Sequence, residues 1–226
     1  MRLLYHHPLS PGSRKVRLAL GEKGVPVTLR EERVWDHRPE FMELNPAGEV
    51  PVLVEEDGTV LSGATAIVEY LDDIHLGPSL MPREPRERAE VRRIVDWFDR
   101  KFAVEVSDAI LYERIEKRFI STQMGGGAPD MEIVRTAMHN LRYHLDYVAY
   151  LIERRRWLGG ETLTIADLTA AAHLSCMDYV GGVPWDAYPG AKDWYVRLKS
   201  RPGFRPLLAD ALPGMAPPRS YANLDF

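Results

Sequence analysis

The first quarter of the chain shows short apolar runs separated by one amphipathic segment. Residues 2–5, Arg-Leu-Leu-Tyr, predict a first strand. Apolar positions at helical spacing follow between Arg14 and Lys23, and Gly24 ends that segment. Residues 25–33 alternate apolar and polar, which predicts a second strand. This pattern predicts a β-α-β unit.

A second unit follows at residues 51–74. Residues 51–54 and 60–61 read as two strands joined around Asp57-Gly58, a dipeptide typical of hairpin turns. Residues 65–74 then place apolar side chains on one helical face. We therefore predict an N-terminal α/β domain over residues 1–76.

The remainder of the chain has a helical period. Three prolines in residues 77–85 exclude a continuous helix and predict an ordered linker. Residues 86–210 predict an all-helical domain, and residues 211–226 a proline-rich tail that forms no helix. Two long amphipathic helices are expected in this domain, the first marked by Val91, Ile94, Val95, Phe98, Phe102 and Val106 and the second by Val134, Ala137, Leu141, Leu145, Val148 and Ile152.

Two local motifs carry structure rather than chemistry. The glycines of residues 124–130 lack the preceding strand and the following Lys-Ser/Thr of a phosphate loop, so we interpret them as a connection with Asp130 as a helix cap. Thr164 and Asp167 have the spacing of a capping box before an apolar run that predicts a buried helix. Cys176 lies in this run and is interpreted as a small core residue.

Composition excludes several functional classes. The chain has 226 residues, a net charge of −4 and 45% hydrophobic residues, so neither nucleic acid nor a membrane is predicted as a partner. A single cysteine allows no internal disulfide, and the cytoplasm is the expected location. His6-His7 is interpreted as a strand end, and no metal site is predicted.

The stretch Asn45 to Val54 places a turn before a short apolar strand, with Pro51 at the junction, where the peptide bond can be cis. The backbone of Val50 is then able to pair with an extended ligand. This stretch, within its β-α-β context and with the capping box at Thr164, resembles the glutathione transferase family. The resemblance implies a thioredoxin-like N-terminal domain, an all-helical C-terminal domain, a cleft between them and a homodimer.

The resemblance also implies a catalytic position. Serine-type members carry a hydroxyl at the end of the first strand, before a basic helix start, and Ser10 occupies that position ahead of Arg14 and Lys15. Such a hydroxyl favours a glutathione thiolate by hydrogen bonding to it. Arg14 and Lys15 are expected to keep positive charge nearby. The alternative is that Ser10 only turns the chain before Pro11.

The sequence departs from the family where the γ-glutamyl end of glutathione binds. Val50 and Pro51 remain to hold the cysteinyl backbone, but Gly63 and Ala64 stand where glutathione-binding members have an acidic or amide residue and a serine. Each lost charge-assisted hydrogen bond is worth about 1.5–3 kcal/mol, so we expect glutathione to be a weak ligand at most, and no cofactor is predicted.

The tail points to a different function. Residues 213–226 end in Leu224-Asp225-Phe226, as a short recognition segment would. Together with Trp35 and the changes at positions 63 and 64, the tail is similar to a bacterial branch of the family whose members do not conjugate glutathione but bind filaments of the tubulin-like division protein FtsZ. The alternative, which is open for Tyr221, is a strap packed over the domain interface.

Two hypotheses follow from these observations. The first is a dimeric platform for FtsZ filaments, with Trp35, Glu116 and the terminal Leu224, Asp225 and Phe226 as contacts. The alternative is a glutathione transferase that uses Ser10 to conjugate small apolar electrophiles. For that reaction the long helices supply an apolar cleft wall, for which the sequence suggests Phe102, Tyr112 and Phe119.

Overall fold

The computed structural model describes residues 1–224 and begins with a four-stranded mixed sheet of order β2-β1-β3-β4. β1 runs parallel to β2, whereas β3 is antiparallel to both β1 and β4. Leu4 in the central strand lies opposite Leu29 and Leu53, and its side chain is fully buried. The strands are β1 (Leu3–His6), β2 (Thr28–Glu31), β3 (Val52–Val54) and β4 (Val60–Ser62).

Helices cover both faces of this sheet. On one face, Val16 of α1 and Ile67 of α3 join the main core, while Phe41 of α2 packs with Tyr5 and Val52 on the other. The predicted thioredoxin-like α/β fold is therefore confirmed. The helices of this part are α1 (Pro11–Lys23), α2 (Pro39–Leu44) and α3 (Ala64–Ile74).

The rest of the described chain is helical, as predicted. The first long helix is not uniform, because its middle, Trp97–Ser107, is π-helical. Its buried residues recur every four positions at Ile94, Phe98, Phe102 and Val106. Three members of this row, Phe98, Phe102 and Val106, lie within the π-helical turns. The helices are α4 (Pro85–Asp96), α5 (Asp108–Arg114), α6 (Met131–Ile152), α7 (Ile165–Tyr179), α8 (Pro189–Lys199), α9 (Arg205–Leu208) and α10 (Arg219–Ala222).

α7 is the centre of the helical part, and all of its residues are buried. The Asp167 carboxylate near its start accepts hydrogen bonds from the backbone N–H of Leu158 (2.8 Å) and of Thr164 (3.1 Å) and from the indole of Trp194 (3.0 Å). The Thr164 hydroxyl also lies 3.2 Å from it. The predicted cap is confirmed, and Asp130 likewise caps α6 by accepting from the N–H of Glu132 (2.8 Å).

The two parts pack closely. A Cβ added at Gly21 of α1 would lie 2.5 Å from Cα of Gly203, so only glycine fits this contact. The segment between α3 and α4 is tied down by Asp72, which pairs with Lys23 (2.6 Å) and accepts from the N–H of Leu80 (2.7 Å). Within residues 1–224 no helix has the length and apolarity needed to cross a membrane.

The tail differs from the prediction because it contains a helix, α10. Tyr221 in this helix is fully buried, and its hydroxyl donates to the carbonyl of Leu207 (2.9 Å). The buried Lys199 ammonium donates to the carbonyl of Asn223 (2.8 Å), just past the end of α10, where a cation stabilises the terminal carbonyls. The strap interpretation of Tyr221 is therefore confirmed.

The cap at α7 generates a stability prediction. Thr164→Ala should lower the free energy of unfolding by about 1 kcal/mol, as loss of a cap typically does. Asp167→Ala should cost more, about 3 kcal/mol, because it leaves several buried donors without an acceptor. Urea unfolding monitored by circular dichroism measures both. The exposed Glu161→Ala serves as a control with little effect. Equal losses at positions 164 and 167 would contradict the central role of Asp167.

Candidate functional site

A cleft between the α/β part and the helical part holds two adjoining pockets, which share Ser10, Pro11, Glu49, Val50 and Asp108. The polar pocket has a volume of about 430 Å³ and the apolar pocket about 520 Å³. The polar pocket is also lined by Asn45, Pro51, Gly63, Ala64, Asp99 and His173, and the apolar pocket by Leu9, Val34, Trp35, Leu111, Tyr112, Ile115 and Glu116.

Ser10 lies at the junction of the two pockets. It is the N-cap of α1, which begins at Pro11 and thus earlier than the apolar pattern suggested. Its Oγ accepts from the N–H of Ser13 (3.1 Å), and among residues 1–224 no acceptor is recorded for its own proton. The hydroxyl can therefore both cap the helix and donate into the cleft. Ser13 itself is buried, and its Oγ accepts from the N–H of His7 (3.3 Å).

The four predicted glutathione-contact positions lie together beside Ser10. The Val50–Pro51 peptide bond is cis. No backbone partner of Val50 is recorded within the described chain, so its N–H and C=O are available to an extended ligand. Gly63 caps α3 without a side chain and has a φ of 89°, a conformation that other residues adopt only with strain. Ala64 begins α3 and offers only its backbone.

The positive charge expected near this pocket is already neutralised within the fold. Arg14 and Lys15 are both fully buried. The Lys15 ammonium lies 2.7 Å from the Asp99 carboxylate and 2.8 Å from the Thr65 hydroxyl. Arg14 points away, toward Ser175 of α7 (2.8 Å). Both cations therefore lie near the polar pocket, but a helix buried between the two parts turns both side chains into the interior, where they are paired with Asp210 and Asp99.

Asp99 joins a chain of hydrogen bonds behind the polar pocket. Its Oδ1 lies 3.3 Å from Nε2 of His173, whose Nδ1 lies 2.9 Å from the buried Ser107 hydroxyl. A carboxylate only accepts, so Nε2 carries the imidazole proton. Burial alone would raise the pKa of Asp99, but His173 and Lys15 outweigh it and lower that pKa to about 2. Asp99 is therefore ionised at neutral pH.

The apolar pocket is built around Trp35. Its indole stacks on Phe119 with ring centroids 5.5 Å apart and meets the His7 ring edge-on at 5.4 Å. Trp35 is half-buried rather than fully exposed. Burial, together with the charge of Arg14, lowers the pKa of His7 to about 4, so the His7 imidazole in the pocket is uncharged at neutral pH. Phe102, expected to line the cleft, instead lies in the core, because its ring packs against Phe98 (centroids 5.4 Å apart) and His144 (4.9 Å).

The region of α5 supplies two acidic groups to the pocket, of which the sequence analysis named only Glu116. Asp108 begins α5 and Tyr112 follows one turn later, whereas Glu116 lies in the 3-10 turn after the helix; all three line the same pocket. The pKa of Asp108 is raised because the concave cleft excludes bulk water, although the side chain is exposed to the cleft. The pKa of Glu116 is raised by burial and by Asp108. Extending the face from Tyr112 would have identified Asp108, whereas the sequence gives no signal for Glu49.

Of the predicted tail contacts, the structure describes Leu224. Leu224 is half-buried on the strap and lines neither pocket. Asp225 and Phe226 lie outside the described residues. The tail therefore remains a separate predicted contact.

The remaining chemical groups show no further reactive centre. Cys176 is fully buried, its thiol lies 3.4 Å from the carbonyl of Leu9, and burial raises its pKa to about 11, which fits the predicted core role. Within residues 1–224 no group of three His, Cys, Asp or Glu side chains is arranged to hold a metal ion.

Comparison with known proteins covers the whole chain. Residues 4–79 match the family model for the glutathione S-transferase N-terminal domain, and residues 116–202 match that for the C-terminal domain. FtsZ-localized protein A of Caulobacter vibrioides is 48% identical over 228 aligned residues, which cover 100% of this chain and 98% of that protein. Glutathione S-transferase 2 of Saccharomyces cerevisiae is 26% identical over 91% of this chain and 89% of its own length.

Solved structures give the same result. A glutathione S-transferase from Rhodospirillum rubrum F11 superposes with a TM-score of 0.96 at 51% identity, with 100% of both chains covered. FzlA from C. crescentus superposes with a TM-score of 0.95 at 49% identity, covering 100% of this chain and 99% of that one. These relatives therefore share the complete two-part architecture described above.

The polar pocket generates a prediction for glutathione. Calorimetry near neutral pH should show no dissociation constant tighter than about 1 mM, equivalent to roughly −4 kcal/mol. The γ-glutamyl end finds no polar side chain at Gly63 or Ala64, and the buried Lys15 is paired. Ala64→Ser should tighten binding by about tenfold by restoring one hydrogen bond. Gly63→Glu is a poorer test because the φ of 89° strains any side chain there.

A micromolar constant for the unmodified protein would contradict this prediction. It would favour the transferase hypothesis, in which Ser10 is the activating residue. The exposed Glu161→Gln serves as a control that should leave the heat of binding unchanged.

Proposed function

Because the chain belongs to the glutathione S-transferase family, we propose that it uses this scaffold to bind FtsZ filaments in bacterial cell division rather than to conjugate glutathione. The observation that carries the proposal is the 48% identity, over the full chain, with a protein named for its localisation to FtsZ. Glutathione S-transferase 2 of yeast, at 26% identity, is more distant. The cytoplasm, where FtsZ assembles, is the proposed location.

The cleft supports this proposal. Trp35 and Glu116, two of the three predicted contact regions, line the same apolar pocket although they are far apart in sequence. Aromatic anchors in a partly desolvated pocket supply much of the energy of protein interfaces. The unmatched charge of Glu116 is suited to a basic group on the partner. We propose that the terminal Leu224, Asp225 and Phe226 supply a further contact.

The proposal predicts the outcome of co-sedimentation with polymerised FtsZ. The unmodified protein should pellet with the filaments, and Trp35→Ala, Glu116→Lys and Asp225→Lys should each reduce the pelleted fraction at least tenfold, since each removes an anchor or reverses a charge. Trp35→Ala should also lower the melting temperature slightly, because its stacking on Phe119 contributes about 0.5–1.5 kcal/mol.

Matched controls separate binding from folding. Glu161→Lys reverses an exposed charge away from the cleft, and Leu76→Ala removes an apolar side chain that is 99% exposed. Both should pellet normally. Undiminished pelleting of Asp225→Lys would remove the tail from the interface. Failure of the unmodified protein to pellet would reject the proposal.

We also propose a homodimer, the usual assembly of this family. On the outer face of α6, Tyr143 and Tyr150 are 56% and 52% exposed, and Val104 of the neighbouring π-helical segment is 73% exposed. Apolar groups exposed together in this way mark interaction surfaces. Light scattering after gel filtration should give a dimer mass, and Tyr143→Arg should shift it toward the monomer. A monomer mass for the unmodified protein at micromolar concentration would refute the dimer.

A further inference from the structure

Three carboxylates around the apolar pocket have no partner of their own. Within the described chain, no ion pair or side-chain hydrogen bond is recorded for Glu49, Asp108 or Glu116, although all three line the pocket. The neighbouring acids are satisfied. Asp99 pairs with Lys15, and Glu113 pairs with Lys117 (2.5 Å) and accepts from the N–H of Asp130 (2.7 Å). The pocket therefore carries carboxylates that no ion pair recorded within residues 1–224 neutralises, although His173 acts electrostatically on Asp108.

Two of these carboxylates are partly desolvated, so their charge is costly without a partner. Asp108 and Glu116 have raised pKa values because the cleft withholds water from them, and Glu116 also feels Asp108. A cation that enters the pocket relieves both effects, since it supplies hydrogen bonds and opposite charge to partly desolvated carboxylates. An anionic ligand such as glutathione, which has two carboxylates and one ammonium group, adds negative charge beside these carboxylates and increases the repulsion.

The surroundings of the carboxylates define what accompanies the cation. The wall between them consists of Trp35, Leu111 and Ile115, which provide an apolar slot. The cis-proline junction places the unpartnered backbone of Val50 at the edge of the same pocket. A ligand that satisfies all three features has an extended backbone, an apolar side chain and a neighbouring positive charge.

We infer that the apolar pocket recognises an extended peptide segment in which a lysine or arginine stands beside an apolar residue. The charged group pairs with Glu116 and Asp108, the apolar side chain packs against Trp35, and the backbone pairs with Val50. The inference rests on the proposed function, because it treats the cleft as a surface that contacts a protein partner.

Calorimetry with two blocked peptides tests the inference without FtsZ. Acetyl-Gly-Leu-Arg-Val-Gly-amide should bind the full-length protein at least tenfold more tightly than acetyl-Gly-Leu-Glu-Val-Gly-amide. Glu116→Gln and Asp108→Asn should each weaken the arginine peptide by about tenfold, which corresponds to the loss of one charge-assisted hydrogen bond. Glu161→Gln, the neutralised control outside the cleft, should bind as the unmodified protein does. A melting curve for each variant confirms folding.

The outcomes distinguish the inference from the proposed function. Equal binding of the two peptides, no binding of either up to millimolar concentration, or unchanged binding by both neutralised variants would overturn the inference. If the protein still pelleted with FtsZ in that case, the proposed function would stand. Selective binding of the arginine peptide without pelleting would support the inference and remove FtsZ as the partner.

Discussion

The cleft depends on two buried cations at successive positions of α1. The Arg14 guanidinium donates to the carbonyl of Pro8 (2.6 Å) and to Ser175 of α7 (2.8 Å), and it pairs with Asp210 (3.3 Å). The next residue, Lys15, pairs with Asp99 of the π-helical segment. Adjacent residues of a helix point in directions about 100° apart, so the two cations reach different elements of the helical part. Together they fix how α1 sits between the two domains.

Because these ion pairs are buried, they determine the position of α1 more than they increase the net stability of the fold. A buried ion pair loses most of its attraction to desolvation, but removal of one partner strands the other and costs about 3–5 kcal/mol. The fold therefore tolerates few arrangements of α1 in which both cations keep their partners. Ser10, at the start of the same helix, and Asp99, at the wall of the polar pocket, are held in place as a consequence. Because both cations are paired within the fold, neither is available to an anionic ligand.

Much of the architecture could be predicted because its signals are local. The hairpin around Asp57-Gly58, the cap of Asp130 and the Thr164–Asp167 motif depend on residues within a few positions of each other. The burial of Arg14 and Lys15 could not be predicted in this way, since their partners Asp210 and Asp99 are distant in the chain and a basic pair at a helix start normally indicates a solvated face. The family resemblance gave no indication of this burial either, because the same distant partners determine it.

Intermediate cases were decided by packing between elements. Trp35 and Glu116 are predicted contact residues. The sequence around each does not indicate that both line one pocket, because that arrangement requires the two domains to dock. Phe102 belongs to the predicted apolar face of the first long helix, and the structure places it in the core rather than in the cleft wall. The tail was expected to have no helix, and α10 forms because Tyr221 and Lys199 supply tertiary contacts that outweigh a poor local propensity.

The cleft has backbone groups that can pair with an extended ligand, but its charged side chains differ from those expected of a glutathione site. The cis-proline junction and the start of α3 depend on chain geometry, so they persist without the side chains of a glutathione site. Gly63 and Ala64 remove the polar contacts, Asp99 neutralises Lys15, and Asp108 with Glu116 adds negative charge. A surface that offers hydrogen bonds to an extended chain and repels anions is poorly suited to glutathione. The proposed preference for a protein segment over glutathione follows from a few side chains rather than from any change of fold.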